Sequence, residues 1–174
     1  MNRITPENIM KNTWNDQFPE FNPNVSPARM FFLGIFGGSY FFSQGIESGL
    51  PHFSRIVNIE FLTDCKIIEI NTYKSLCNPI PNYDSNFYYK GFCGSDYNTW
   101  KSKKWITKEN PYGWVNWYIN FYYGKRSEED KLQIKRWKSF IARHSGMIKK
   151  YEKSGKPTNK SKQNLLHWAY KSSY

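Results

Sequence analysis

The stretch from Asn110 to Arg143 constrains the fold of this 174-residue chain more than any other. Trp114, Trp117, Tyr118, Phe121 and Tyr122 recur at i, i+3, i+4, i+7 and i+8, which is one face of an α-helix. Asn110 and Pro111 supply start chemistry, a capping side chain followed by a ring that needs no N–H. Gly124 supplies the left-handed residue that closes such a helix. Ser127-Glu128-Glu129-Asp130 then opens a second helix, an approximate capping box with Asp in place of Glu. That helix is expected to run to about Arg143, with Ile134, Trp137 and Ile141 inward and Lys131, Lys135 and Lys138 on another face. Abundant Phe, Tyr, Asn, Ile and Lys are what A/T-rich coding alone would produce, but the seven tryptophans are not and need a physical reason.

The remaining signals are weaker. Residues 1–25 contain Pro6, Pro19 and Pro23 and read as an extended arm, leaving 26–174 as a single globular domain. Ser26-Pro27 starts a short helix over Ala28–Leu33 that stops at Gly34. Residues 55–71 are rich in Ile and Val with partial alternation and fit one or two strands, and Phe87–Phe92 fits another. Gly146, Gly155 and Pro157 bound a basic connection, after which Thr158 or Asn159 caps a last helix carrying Leu165, Trp168 and Ala169. The expected class is α+β, a small irregular sheet or hairpin region in the N-terminal half packed on about three C-terminal helices.

Charge is unevenly distributed. Residues 1–100 carry 7 Lys and Arg against 9 Asp and Glu, whereas residues 101–174 carry 18 against 5, a net of +13. A basic excess confined to one part is the footprint of a protein that meets a polyanion, although a solvated lysine-rich face has the same composition. Cys65, Cys77 and Cys93 are odd in number and lack C-x-x-C spacing, which disfavours a disulfide framework or a cysteine zinc site. His52, His144 and His167 lack metal-ligand spacing. The expectation is therefore no metal and no cofactor. The first residues have no signal-peptide character and no apolar run spans a bilayer, so the expected setting is intracellular, cytoplasmic or nuclear, away from membranes.

Several segments also form a recognisable pattern. Gly34-Ile35-Phe36-Gly37-Gly38-Ser39-Tyr40-Phe41 is followed by Gly94, Trp100, Trp105 and Ile106, then by Pro111, Gly113, Trp114, Trp117, Tyr118, Phe121, Gly124 and Arg126. Asp130, Gln133, Ile134, Arg136, Trp137, Arg143 and His144 come next, and Gln163, Leu165, Leu166, Trp168 and Ala169 close it. In these the chain resembles a widespread uncharacterised family of small proteins found in bacteria and eukaryotes. It departs from the pattern at Asn110, where Asp is usual, at Lys125, where Arg is usual, and at Lys104, where Gly commonly precedes the second Trp. The resemblance implies one compact domain and carries no activity with it.

Two constellations have chemical content. Trp100 and Trp105 flank Lys101, Lys103 and Lys104, an interleaving that suits single-stranded nucleic acid, with cations on phosphates and rings on bases. Lys125, Arg126, Gln133, Arg136, Arg143 and His144 form a polar stripe suited to phosphates or base edges, or else to internal pairing with Glu128, Glu129 and Asp130. Trp114, Trp117 and Trp137 read first as core. Gly37-Gly38 reads first as a structural turn, and no P-loop, G-x-S-x-G or carboxylate pair is present. The leading expectation is a nucleic-acid-binding module with a basic C-terminal surface and aromatic stacking. The alternatives are a subunit that docks an acidic protein, or an enzyme on a phosphate-bearing or nucleobase substrate with His144 as acid/base. The enzyme requires Arg126, Arg136, Arg143 and His144 to converge on one pocket.

Overall fold

Ser26 begins the first helix as its sequence suggests: the hydroxyl accepts from the Arg29 N–H at 3.3 Å, and Pro27 occupies the first turn. The computed structural model describes residues 17–41, 56–57, 59–64 and 80–173. Among these, the regular elements are α1 (Pro27–Phe32), α2 (Ile59–Asp64), a single 3₁₀ turn (Tyr83–Ser85), α3 (Tyr97–Ser102), α4 (Trp114–Tyr122), α5 (Asp130–Lys153) and α6 (Asn159–Leu166).

No described residue lies in a β-strand, which overturns the α+β expectation and its N-terminal sheet or hairpin. The expected strand over 55–71 is helical at Ile59–Asp64, where Phe61 is wholly buried and its ring meets those of Phe31 and Tyr123. One aromatic anchor in a pocket outweighs the weak strand preference of an Ile-rich run, since strand propensity is largely a matter of packing context. The rest of that stretch, apart from residues 56–57, lies outside the described residues. The expected strand Phe87–Phe92 is irregular, and side chains take the place of a ladder. The Tyr88 N–H donates to Gln163 Oε1 at 3.0 Å, and Asn86 Nδ2 donates to the Gly91 carbonyl at 2.8 Å.

The centre of the molecule is α4. Every residue from Trp114 to Tyr122 is buried, so the helix is covered all round rather than on one aromatic stripe. Its second face carries Asn116 and Asn120, buried polar groups satisfied by donating to the Ile56 carbonyl, at 2.9 Å from Asn120. Asn110-Pro111 does not open this helix. Residues 110–113 form a turn closed by the Gly113 N–H on the Asn110 carbonyl, and Gly113, at φ +76° and ψ −153°, is the N-cap. That backbone conformation is essentially open only to glycine. Gly124 follows at φ +96°, the left-handed stop its position indicates.

Asp130 joins α4 to α5. Its carboxylate accepts from the Ser127 N–H and hydroxyl, both at 3.0 Å, and from the Trp117 indole N–H at 2.9 Å. Helix α5 then continues to Lys153, ten residues beyond Arg143 and straight through Gly146. It packs on α6, and the Trp137 indole N–H donates to the Trp168 carbonyl at 2.8 Å. The described part of the expected arm is not loose. Phe21 is fully buried between Trp117, Phe121 and Trp137, with ring centroids 5.0–5.6 Å away. Asn24 pairs with the backbone of Lys171 in both directions, tying this segment to the C-terminal tail.

Candidate functional site

One stripe of α5 does not face the core. Leu132, Lys135, Arg136, Ser139, Phe140 and Arg143 follow 3, 1, 3, 1, 3 spacing and line a cleft of about 800 Å³. This volume falls within the roughly 300–1,000 Å³ typical of ligand pockets. Facing the stripe are Tyr97 and Trp100 of α3 with Trp105 beyond it, Phe36 and Tyr40 from the loop after α1, and Cys93 and Gly94. Trp114 of α4, His167 and Trp168 at the end of α6, and the polar side chains of Asn86, Asp96 and Asn164 also line it.

The wall is a column of rings. His144 stacks on Phe140 at 4.2 Å and Phe140 on Trp168 at 4.6 Å; Trp168 tilts against Trp114 at 4.7 Å, and Trp114 stacks on Tyr118 at 5.0 Å. The column runs from the α5 surface into the core, so the cleft-facing rings of Phe140 and Trp168 are held rigidly by those behind them. Trp100 is fixed on the opposite side by Tyr97, at 6.2 Å, and by the close approach of Gly113. A Cβ on Gly113 would stand 3.5 Å from the Trp100 ring. Among the described residues Trp105 is the most accessible indole, 38% exposed.

Two arginines on the stripe behave differently. Arg136 is a strut: its guanidinium lies 5.4 Å from the Trp105 ring centroid and 5.8 Å from that of Trp168, bridging the two walls. It donates to Gln133 Oε1 at 2.9 Å, while Gln133 Nε2 and Asn110 Nδ2 both donate to Glu129. Burial depresses the Arg136 pKa and the nearby Glu129 carboxylate partly restores it. Arg143, by contrast, is exposed at the rim and has no hydrogen-bond or ion-pair partner among the described residues.

His167 is the polar feature of the cleft. Its Nε2 lies 2.8 Å from the Ile35 carbonyl oxygen, which can only accept, so Nε2 carries the hydrogen. Gln163 is oriented independently, because its Oε1 accepts from Tyr88 and its Nε2 donates to Ile35. The 3.4 Å approach of Gln163 Nε2 to His167 Nε2 therefore brings two donors together and is not a hydrogen bond. Burial pushes the His167 pKa down to about 4, so the ring is neutral at physiological pH and Nδ1 is a bare lone pair. Nδ1 has no hydrogen-bond partner among the described residues, and the ring is partly exposed on the cleft. It points toward Gly94, where a Cβ would stand 3.7 Å away. Nearby Cys93 is a thiol rather than a nucleophilic thiolate: burial raises its pKa to about 11 against a smaller opposing effect of Lys160, and Sγ donates to Asn164 Oδ1 at 2.9 Å.

Of the residues singled out in the sequence, Trp100, Trp105, Arg136 and Arg143 share the cleft. Gln133 is buried behind it and orients Arg136. Lys101, Lys103 and Lys104 are exposed at the end of α3, near the indoles but outside the lining. Lys104 adopts φ +55°, a left-handed conformation that glycine takes more readily. Lys125 is exposed on the α4–α5 turn, whereas Arg126 lies over the Phe121 ring at 4.1 Å and donates to the Phe121 and Lys125 carbonyls, sealing the end of α4. His144 is spent on the ring column, its Nδ1 buried without a partner, and burial followed by the Arg143 charge lowers its pKa. Arg126, Arg136, Arg143 and His144 thus do not converge, and the enzyme arrangement built on them is not assembled. Sequence reasoning places Trp168 on the last helix and excludes His167 as a metal ligand, but gives neither of them, nor Phe140, a binding role. The signal for Phe140 was its place on the 132–143 stripe; His167 has no local signal, since Ile35, 132 residues away, fixes its tautomer.

Among the described residues, no three of His, Cys, Asp and Glu gather as a metal-holding group, and no helix is long and apolar enough to cross a membrane. No family model, curated protein or solved structure matches the chain.

Proposed function

We propose that the protein binds single-stranded nucleic acid, seating an unstacked base in the aromatic cleft and its phosphates on the basic rim. The observation that carries this reading is the joining, in one cleft, of fixed aromatic walls with Arg143 and Lys135 at the mouth. Base–aromatic stacking contributes about 1–3 kcal/mol per base, and cations alongside track the backbone. A base would stack on Trp105, which stands outside the ring column, and meet the edges of Phe140 and Trp168, with Arg136 holding the walls. Phosphates leading away would meet Arg143, Lys135 and the exposed Lys101, Lys103 and Lys104.

The test is titration of a labelled oligouridine of about ten nucleotides at several salt concentrations. Affinity should fall steeply with salt, and Arg143→Ala should reduce the slope of log K against log salt by about 0.7, the loss of one single-strand phosphate contact. Trp105→Ala should weaken binding without changing that slope. Binding that is absent at low ionic strength, or indifferent to salt, would overturn the proposal.

A further inference from the structure

We infer that His167 reads the hydrogen-bonding edge of the seated base, so that the cleft selects keto bases (uracil, thymine, guanine) over amino bases (adenine, cytosine). This rests on the reading of the cleft as a base-stacking site. The argument begins with the tautomer. The Ile35 carbonyl at 2.8 Å holds the ring hydrogen on Nε2, and Gln163, itself oriented by Tyr88, prevents Nε2 from becoming an acceptor. What reaches the cleft is a single acceptor, Nδ1, with no donor at the same point. It has no hydrogen-bond partner among the described residues, it belongs to a partly exposed ring that lines the cleft, and its nearest neighbour there is the side-chain-free Gly94.

Bases differ at the ring nitrogen they offer to such an acceptor. Uracil and thymine present N3–H between two carbonyls, and guanine presents N1–H beside one. Adenine and cytosine present a lone pair at the corresponding ring position and only an exocyclic amine, a weaker donor, beside it. A lone pair facing Nδ1 leaves a partly buried acceptor unsatisfied and repelled, the kind of mismatch that discriminates more strongly than a missing apolar contact. The Phe36 ring, 4.9 Å from the imidazole, keeps His167 from swinging to another rotamer.

The decisive measurement compares oligouridine, oligocytidine, oligo(N3-methyluridine) and free UMP on the full chain, followed by the variants His167→Phe and His167→Gln, with thermal melts confirming that each is folded. Methylating N3 removes the donor while leaving stacking and phosphates in place. Roughly tenfold weaker binding of the methylated and cytidine strands is expected for wild type, and loss of both preferences in His167→Phe. Equal affinity for all three strands, with the salt dependence intact, would overturn edge reading and leave strand binding standing. Preference retained in a folded His167→Phe would remove His167 as the reader. UMP binding as tight as the oligomer, still sensitive to N3 methylation, would support edge reading and overturn the strand-binding proposal. Should neither variant fold, the methylation comparison on wild type decides, and absence of binding to every probe overturns both.

Discussion

His167 shows how much chemistry a single contact can settle. The Ile35 carbonyl fixes which nitrogen is protonated, and burial pushes the pKa to about 4, against about 6.5 for an unperturbed histidine. Above pH 6.5 the ring is neutral in both folded and unfolded chains and contributes nothing to pH dependence. Between pH 6.5 and 4 the unfolded chain binds the proton and the folded chain resists it, so stability falls as pH falls through that window, by about 3 kcal/mol in total. His144 is shifted in the same direction. Urea midpoints measured from pH 7 to 4.5 should therefore decline, and His167→Gln, which retains a donor for Ile35 and cannot titrate, should flatten the decline; an unchanged profile would exclude this assignment. At this scale the sequence was partly legible. Asp130 announced itself as a box residue, but neither its bond to Trp117 nor the burial of His167 has a signature within a few residues of either side chain.

Elements were legible where the deciding interactions are local. The starts at Ser26-Pro27 and the stop at Gly124 came from capping chemistry and stand. Helix α5 was read too short because Gly146 looks like a breaker. In a helix packed on α6, the cost of one glycine, about 1 kcal/mol, is absorbed. Gly146 has ordinary helical backbone, is exposed, and has open space where a Cβ would go. Gly146→Ala should accordingly stabilise the protein by about 0.5–1 kcal/mol in chemical denaturation. A neutral or destabilising result would mean that the helix bends or opens there. Helix α4 failed in the opposite way. Its aromatic stripe was plain, but the buried Asn116 and Asn120 on the other face resemble solvent-facing residues until the segment that receives their hydrogen bonds is in place.

On the scale of the whole molecule, the described part of the N-terminal segment, residues 17–25, is part of the core rather than an appendage. Phe21 fills the space between α4 and α5, so Phe21→Ala should cost about 3–5 kcal/mol, measurable by urea denaturation; a loss under 1 kcal/mol would show that the segment is only loosely docked. The sequence by itself determined the helical C-terminal half, the caps that begin α1 and end α4, the aromatic character of the core and the basic excess after residue 100, because periodicity, capping and charge are local or additive properties. The tertiary structure decided the rest. It replaced the expected sheet with α2 and irregular chain among the described residues, because strand preference yields to burial context. It spent Arg126, Gln133 and His144 on internal contacts and left Arg143 at the mouth of the cleft. It also brought His167, Trp168 and Phe140 together with Trp100 and Trp105. A site assembled from α3, α5, α6 and two loops depends on contacts between residues far apart in the chain, and no window of the sequence contains them.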